Sequence, residues 1–558
     1  MSSSSATDDP RQLSSERVTI PGLAEIIPPR AHKDSVIALL LFLASLAYLF
    51  LFRRYSAMDP DEGIVLQGAE RILRGEVPYR DFFSFYTPGS FYLVAGMFRV
   101  FGDSFVVGRT SIAIVGSGLS GVTYLLARRV CSWRIALLTA GLTMTTTTPY
   151  RFLVLHNWYA TFFGCLSLYS AVRLLESHKI KWAFATGSLV ALTVLIEQST
   201  GAGLCLGLML GYVVLRFFGR IPSSQITAVW IGFIWPWIVL LLYFGSKGSL
   251  GAMLQDWVWP LHHYARSNHV FYGYQNWTEA DRTANFYTGA LWVRVAKFVA
   301  ISPGFVMPVL PLAAVAWLTL ETFQIKRREC YSSNSEYFVL LSSALSGLFL
   351  SVLMVRPDVT HFLYLAPLWN VVLAWILGVR ELRLSLLRKV RPYLAAYVCI
   401  AFGAMSLALL LNVNSGKNLI ETHRGVVMTK SQDTVLPYLQ SHVTAGDTLL
   451  VYPYLPLYNY LTDTVSPARL DFFQPGMNTA EHAQQIIGSL QASKAHALLF
   501  EPSFAEKFAS TWPNTPLTVV AHDPVGDFIV RNYHICEPLK GTSGWLFQFM
   551  VRKSDSCP

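Results

Sequence analysis

Three acids within four positions stand just beyond the first long apolar run. They are Asp59, Asp61 and Glu62, in the segment Met58-Asp-Pro-Asp-Glu-Gly63. Asp59 is placed to cap a helix, with Pro60 at its first position and Glu62 closing a capping box. One cap and one box partner complete that motif, so Asp61 is left over. A carboxylate at a helix start is favoured as the anion by the helix dipole. Such a group suits accepting a hydrogen bond from a hydroxyl under attack, or holding a cation. Arg80 and Asp81 follow in the same segment. Arg151, His156 and Asn157 share a later interval between apolar runs, and Glu197 and Gln198 share another. Arg356-Pro-Asp-Val-Thr-His361 puts a cation, an acid (Asp358) and an imidazole within six residues.

Each of these groups also has a plainer role. Asp59 caps, Arg80–Asp81 forms a surface pair worth little, His156 bonds a nearby carbonyl, and Asp358 and His361 trim helix ends. Glu197 is harder to dismiss. It ends a continuous apolar region, where an acid is costly and marks a functional candidate.

The elements that must position these groups are read from hydropathy. The chain has 558 residues, 53% of them hydrophobic and 14% charged. Its mean hydropathy is +0.40. Charge well below the usual ~25% places it among integral membrane proteins. Its net charge of +10 is scattered between apolar runs, which argues against nucleic acid as a partner and for positive-inside topology.

The run from Ser35 to Phe52 is the first span. Others follow at about 106–127, 135–149, 158–175, 182–196, 201–217, 226–244, 299–320, 337–355, 363–379 and 394–412. About eleven spans put the termini on opposite sides. Arg128, Arg129, Lys179, Lys181, Arg220, Lys326–Arg328 and the Arg380–Arg391 run then fall on the inner side. The N-terminus lies inside and the C-terminus outside, with Arg53 and Arg54 a local conflict. The acids and the later polar clusters all come to the outer face. The 64–73 stretch reads as an amphipathic helix at the membrane surface, stopped by Gly75, and 91–101 as a second interfacial helix. The loop 245–298 is rich in Trp and Tyr, which anchor at the interface.

Residues 1–33 read as a polar cytoplasmic leader, 34–412 as the membrane domain and 413–558 as a small outer α/β domain. Its expected strands are Thr448–Tyr452, Ala497–Phe500, Phe528-Ile-Val-Arg and Leu546–Val551. Its expected helices are Gln432–His442 and Thr479–Leu490. The seven cysteines show no metal spacing. An oxidising compartment would permit a disulfide between Cys536 and Cys557, and sequence alone leaves that pairing open.

The Asp61-Glu62 pair, Gly-x-x-x-Tyr-Arg-Asp-Phe82 and Tyr-Thr-Pro-Gly-Ser-Phe-Tyr92 resemble polytopic glycosyltransferases of the C-type superfamily (GT-C). The protein O-mannosyltransferases and the lipid A aminoarabinose transferases are examples. The resemblance is strongest over the first third of the chain. It implies transfer of a sugar from a polyprenyl-phosphate donor to an extracytoplasmic acceptor, in a bacterial inner membrane. The acceptor would be a lipid, a cell-envelope glycan or a protein. It makes Asp61, with Glu62 beside it, the catalytic carboxylate. It sets Arg356 and His361 against the lipid-linked phosphate, with Arg80 or Arg151 as further cations. The topology gathers Asp59, Asp81, His156, Glu197 and Asp358 at the same outer face, as further substrate-binding candidates. Some relatives carry a Lys where this chain has Thr87, so the cation must come from elsewhere. No cofactor is implied, although some relatives use a divalent cation. A transporter or flippase for a lipid-linked sugar would instead need charges near mid-span and broken helices. A non-catalytic scaffold would use the acids only as caps.

Overall fold

The computed structural model describes residues 31–316, 319, 333–378, 385–474, 476–493, 495–515 and 523–558. Most of the expected leader, the basic run Lys326–Arg328, Cys330 and the 380–384 part of the last basic loop lie outside the described residues. Every expected apolar run is mostly helical over its described residues, with turns at Ser302, Met307–Pro308 and Leu365. The first helices are α1 (Ala31–Leu49), α2 (Pro60–Leu73), α3 (Gly89–Phe101), α4 (Phe105–Ala127) and α5 (Trp133–Leu142). They are followed by α6 (His156–Ser177), α7 (Ile180–Ile196), α8 (Gln198–Phe217), α9 (Ser223–Ser246) and α10 (Leu250–His263). Later apolar helices are Ser333–Val355, Ala366–Gly378 and Gly403–Asn414.

Among the described residues, five helices are long and apolar enough to cross a membrane: His32–Phe52, Phe105–Ala127, Gln198–Phe217, Ser223–Ser246 and Lys389–Asn414. The bent pair Leu291–Val306 and Val309–Ala316 makes a sixth if counted as one span. Four more apolar helices, at Gly89–Phe101, Ile180–Ile196, Val339–Val355 and Ala366–Gly378, are shorter. Close packing of α8 on Ser333–Val355 uses Gly203 and Gly207 against Ser343 and Gly347, where an added Cβ would meet backbone. Small residues serve helix contacts in lipid this way, because no hydrophobic force drives apolar helices together there.

Beyond Asn414 the chain forms a hairpin, β1 (Asn418–Ile420) with β2 (Val427–Thr429). A four-stranded sheet follows, made of β3 (Leu449–Tyr452), β4 (Ala497–Phe500), β5 (Tyr533–Lys540) and β6 (Leu546–Arg552), in the order β3-β4-β6-β5. β3 and β4 are parallel, with Leu449 opposite Ala497, and the other pairs are antiparallel. β3 is buried along its length, which is why Leu449-Leu-Val-Tyr452 reads as an unbroken apolar run.

The expected strand at Phe528 is instead the helix Pro524–Asn532. Asp523 caps it through the Gly526 amide at 3.0 Å, and Pro524 occupies its first turn. Three consecutive apolar residues were too short a run to separate a strand from a helix. Cys536 and Cys557 are joined in a disulfide.

The helix expected at a membrane surface is covered on its polar side too. Gln67, Glu70 and Arg71 of α2 are buried. The C-terminal region supplies their cover. Arg71 bonds Asp471 at 2.8 Å and the Ala468 carbonyl at 3.0 Å. Arg74 reaches Asp463 at 2.6 Å, and Arg424 reaches Glu70 at 2.8 Å. Gly63 lies so close to the Leu457–Thr462 helix that a Cβ would strike the Leu457 backbone. One apolar core runs without a break from α1 and α4 into β3 and that helix.

Candidate active site

α2 delivers the acids. The chain enters it through Met58, which is buried and takes a left-handed φ of 53°. That conformation costs a non-glycine residue on the order of 1 kcal/mol. Asp59 is the cap, accepting from the Asp61 amide at 3.0 Å. The expected capping box does not form. Glu62 turns inward, fully buried, and pairs with Arg109 of α4. Its Oε2 accepts from Arg109 Nη2 at 2.6 Å and its Oε1 from the Val154 amide at 3.0 Å. Burial pushes the Glu62 carboxyl above its ordinary value, opposed by the Arg109 charge. The structure therefore does not bring Glu62 to the cavity that receives its neighbours.

That cavity measures about 970 Å³. Asp59, Asp61, Arg151, His156, Glu197, Arg356, Asp358 and His361 all line it. Arg80 and Asp81 do not; they pair with each other at 2.7 Å, and the Asp81 carboxylate also takes the Val77 amide. Thr87 is buried and donates to the Val194 carbonyl at 3.0 Å, so no cation enters at that position.

Asp61 is held from two sides. Its Oδ1 accepts from the Tyr454 hydroxyl at 2.8 Å, and its Oδ2 lies 3.4 Å from Arg151 Nη2. The same Nη2 donates to Asp59 at 2.6 Å. Burial raises the Asp59 carboxyl above its ordinary value, while the Arg151 charge opposes that rise. Nε and Nη1 of Arg151 make no hydrogen bond among the described residues. His156 stacks on Tyr86, with ring centroids 4.3 Å apart. Glu197 separates α7 from α8 in extended conformation and caps α8. It accepts from the Ser199 and Thr200 amides at 3.1 and 2.7 Å.

The second charged group is a relay built on Asp358. Arg356 Nε donates to Asp358 Oδ2 at 2.7 Å, and His361 Nδ1 meets Oδ1 at 2.7 Å. Burial alone would raise the Asp358 carboxyl. His361 and Arg356 outweigh it and hold the group well below the usual carboxylate range. The other guanidinium donors of Arg356 go to the Asn268 carbonyl and side chain, to Asn276 and to the Thr511 carbonyl. All five N–H groups of Arg356 thus have acceptors. Nε2 of His361 makes no hydrogen bond among the described residues. Of Arg151, Arg356 and His361, it is therefore Arg151 and His361 that keep donor capacity for an anion.

Sequence reasoning gave no signal for Tyr454, Gln474 or Trp512, which close the cavity from the C-terminal side. Nor did it for Asn268 and Asn276, which hold Arg356. Among the described residues, no three His, Cys, Asp or Glu ligands of this cavity converge on one point; the one such cluster is His534 with the two disulfide cysteines.

Residues 86–244 match the family model described as dolichyl-phosphate-mannose-protein mannosyltransferase. The match covers a minority of the chain and begins beyond Asp61. No curated protein matches the chain. Among solved structures, apo ArnT from Cupriavidus metallidurans superposes with a TM-score of 0.50 and 12% identity, over 93% of this chain and 97% of that one. The Archaeoglobus fulgidus oligosaccharyltransferase, solved in complex with Zn and sulfate, gives 0.50 and 13%, over 92% of this chain and 72% of that one. In fold along most of its length, and in sequence over residues 86–244, the chain is similar to the polytopic GT-C membrane glycosyltransferases.

Proposed function

We propose that this protein moves one sugar from a polyprenyl-phosphate donor to an acceptor outside the cytoplasm. The acceptor is a lipid, an envelope glycan or a protein. Asp61 takes the proton of the acceptor hydroxyl. The freed oxygen bonds to the anomeric carbon, the bond from that carbon to the phosphate oxygen breaks, and the phosphate keeps the electron pair. Arg151 and His361 meet the charge that grows on the phosphate. Arg356 supports that role indirectly, by holding Asp358 against His361. Glu62 serves α2 by anchoring it to α4, and Arg80 and Asp81 serve the surface.

One observation carries this reading. A carboxylate held by Tyr454 and Arg151, Asp61, shares a single cavity with that incompletely used arginine and a carboxylate-backed imidazole. The setting is the inner membrane of a bacterium, with the N-terminus inside and the domain at 413–558 outside. The disulfide at Cys536 supports the outer placement of that domain.

The test is to incubate the purified protein with a panel of labelled polyprenyl-phosphate sugars and a membrane extract, then identify the labelled product. Asp61→Asn should lower transfer by about two orders of magnitude or more while membrane insertion stays normal. Undiminished transfer by this variant removes Asp61 from the base role.

A further inference from the structure

We propose that Tyr454, from the C-terminal domain, is a positioning residue for the Asp61 carboxylate. The inference rests on Asp61 being the base. Its phenol donates to Asp61 Oδ1 at 2.8 Å. Gln474 Nε2 in turn donates to the phenol oxygen at 3.1 Å, which leaves the phenol proton for Asp61. The Tyr454 ring is buried and packs against Phe472, Phe504 and Trp512, with centroids 6.5, 5.6 and 6.0 Å away. Burial, with the Asp61 charge adding, pushes the phenol well above its ordinary value, so it stays a donor over the working pH range.

The backbone on either side is equally constrained. β3 ends at Tyr452, and the Leu457–Thr462 helix begins just after Tyr454 and abuts Gly63, two residues from Asp61. Tyr454 and Asp61 are therefore locked to each other through packed backbone. An Asp carboxylate is otherwise free to turn about its last torsion. With Oδ1 held by Tyr454, Oδ2 keeps lone pairs for the acceptor proton beside Arg151. The other groups around Asp61 are Asp59 at the cap of α2, Arg151 from the turn before α6, His156 at the start of α6, Tyr86, Tyr264 and Tyr364. Of the two hydrogen bonds that the Asp61 carboxylate accepts, the one from Tyr454 is the shorter, at 2.8 Å against 3.4 Å from Arg151. A hydrogen-bond donor favours the charged form of the carboxylate it meets, so loss of the phenol should show in the acid limb of the kcat profile.

The experiment compares wild type, Tyr454→Phe, Asp61→Asn and the double variant as full-length protein in detergent. The first readout is melting temperature. The bond predicts that the two single losses are less than additive in the double variant. The second is transfer from labelled undecaprenyl-phosphate sugars to a membrane extract. Tyr454→Phe should cut kcat about tenfold at unchanged donor KM and move the acid limb of the kcat profile to higher pH. Additive melting losses overturn the contact. A wild-type kcat and acid limb in Tyr454→Phe overturn the positioning role. If Asp61→Asn transfers as well as wild type, the base assignment fails as a separate result, because the melting cycle still judges the contact.

Discussion

At the residue scale, the two arginines of the cavity have opposite characters. Arg356 spends every N–H on protein acceptors and is nearly inaccessible, whereas Arg151 keeps donors in reserve. Removing one partner of a buried, fully bonded charge strands the rest. Arg356→Gln should therefore destabilise the protein by about 3–5 kcal/mol, seen as a lower melting temperature. Arg151→Gln should melt near wild type and lose transfer; a stable, active Arg356→Gln would contradict this division.

Asp358 adds a pH signature. Its folded-state carboxyl lies below the unfolded value of about 3.9, so its stabilisation is present above that pH and is lost as pH falls towards the folded value. The melting gap between wild type and Asp358→Asn should narrow as the pH falls below about 4. A gap that widens in acid would refute the assignment.

At the scale of elements, what sequence could reveal followed from local signals. The apolar runs announced the helices. Asp59-Pro60 announced the start of α2, and Gly75 its end, where the backbone turns at a φ of 94°. The β3 and β4 strands were visible as short apolar blocks. What stayed hidden depended on partners far away in the chain. Arg109 lies inside an apolar run, and nothing nearby shows that it answers Glu62, 47 positions earlier. The saturation of Arg356 needs Asn268, Asn276 and the Thr511 carbonyl, and no local signal ties any of them to that arginine. The polar face of α2 looked like a water-facing surface because periodicity shows that a face is polar, not what covers it. Gly63 makes that cover testable. Gly63→Val should push the Leu457–Thr462 helix away at a cost of about 1–3 kcal/mol. Limited proteolysis should then cut between the membrane part and the C-terminal domain faster than in wild type; equal rates would mean that the two helices do not touch.

At the scale of the whole molecule, the disulfide reports both stability and compartment. It closes a loop with a sequence separation of 21. Such a loop is worth about 3 kcal/mol in the chain-entropy account. Cys536→Ser with Cys557→Ser should lower the melting temperature. In intact cells, a membrane-impermeant thiol reagent should label these cysteines only after reduction. Labelling without a reductant would place the domain in a reducing compartment or leave the bond unformed.

The charged seam between α2 and the C-terminal domain limits how such a protein can be divided. A shortened chain ending near residue 412 would leave Glu70, Arg71 and Asp256 without Arg424, Asp471 and Arg469. The acids nearest the cavity would then sit on a helix that had lost its ion pairs to the C-terminal region. A chimaera that borrows an outer domain from a relative would inherit the same problem unless α2 and the first outer loop were exchanged with it. Exchanging outer domains between such proteins thus calls for moving both halves of the seam as one cassette.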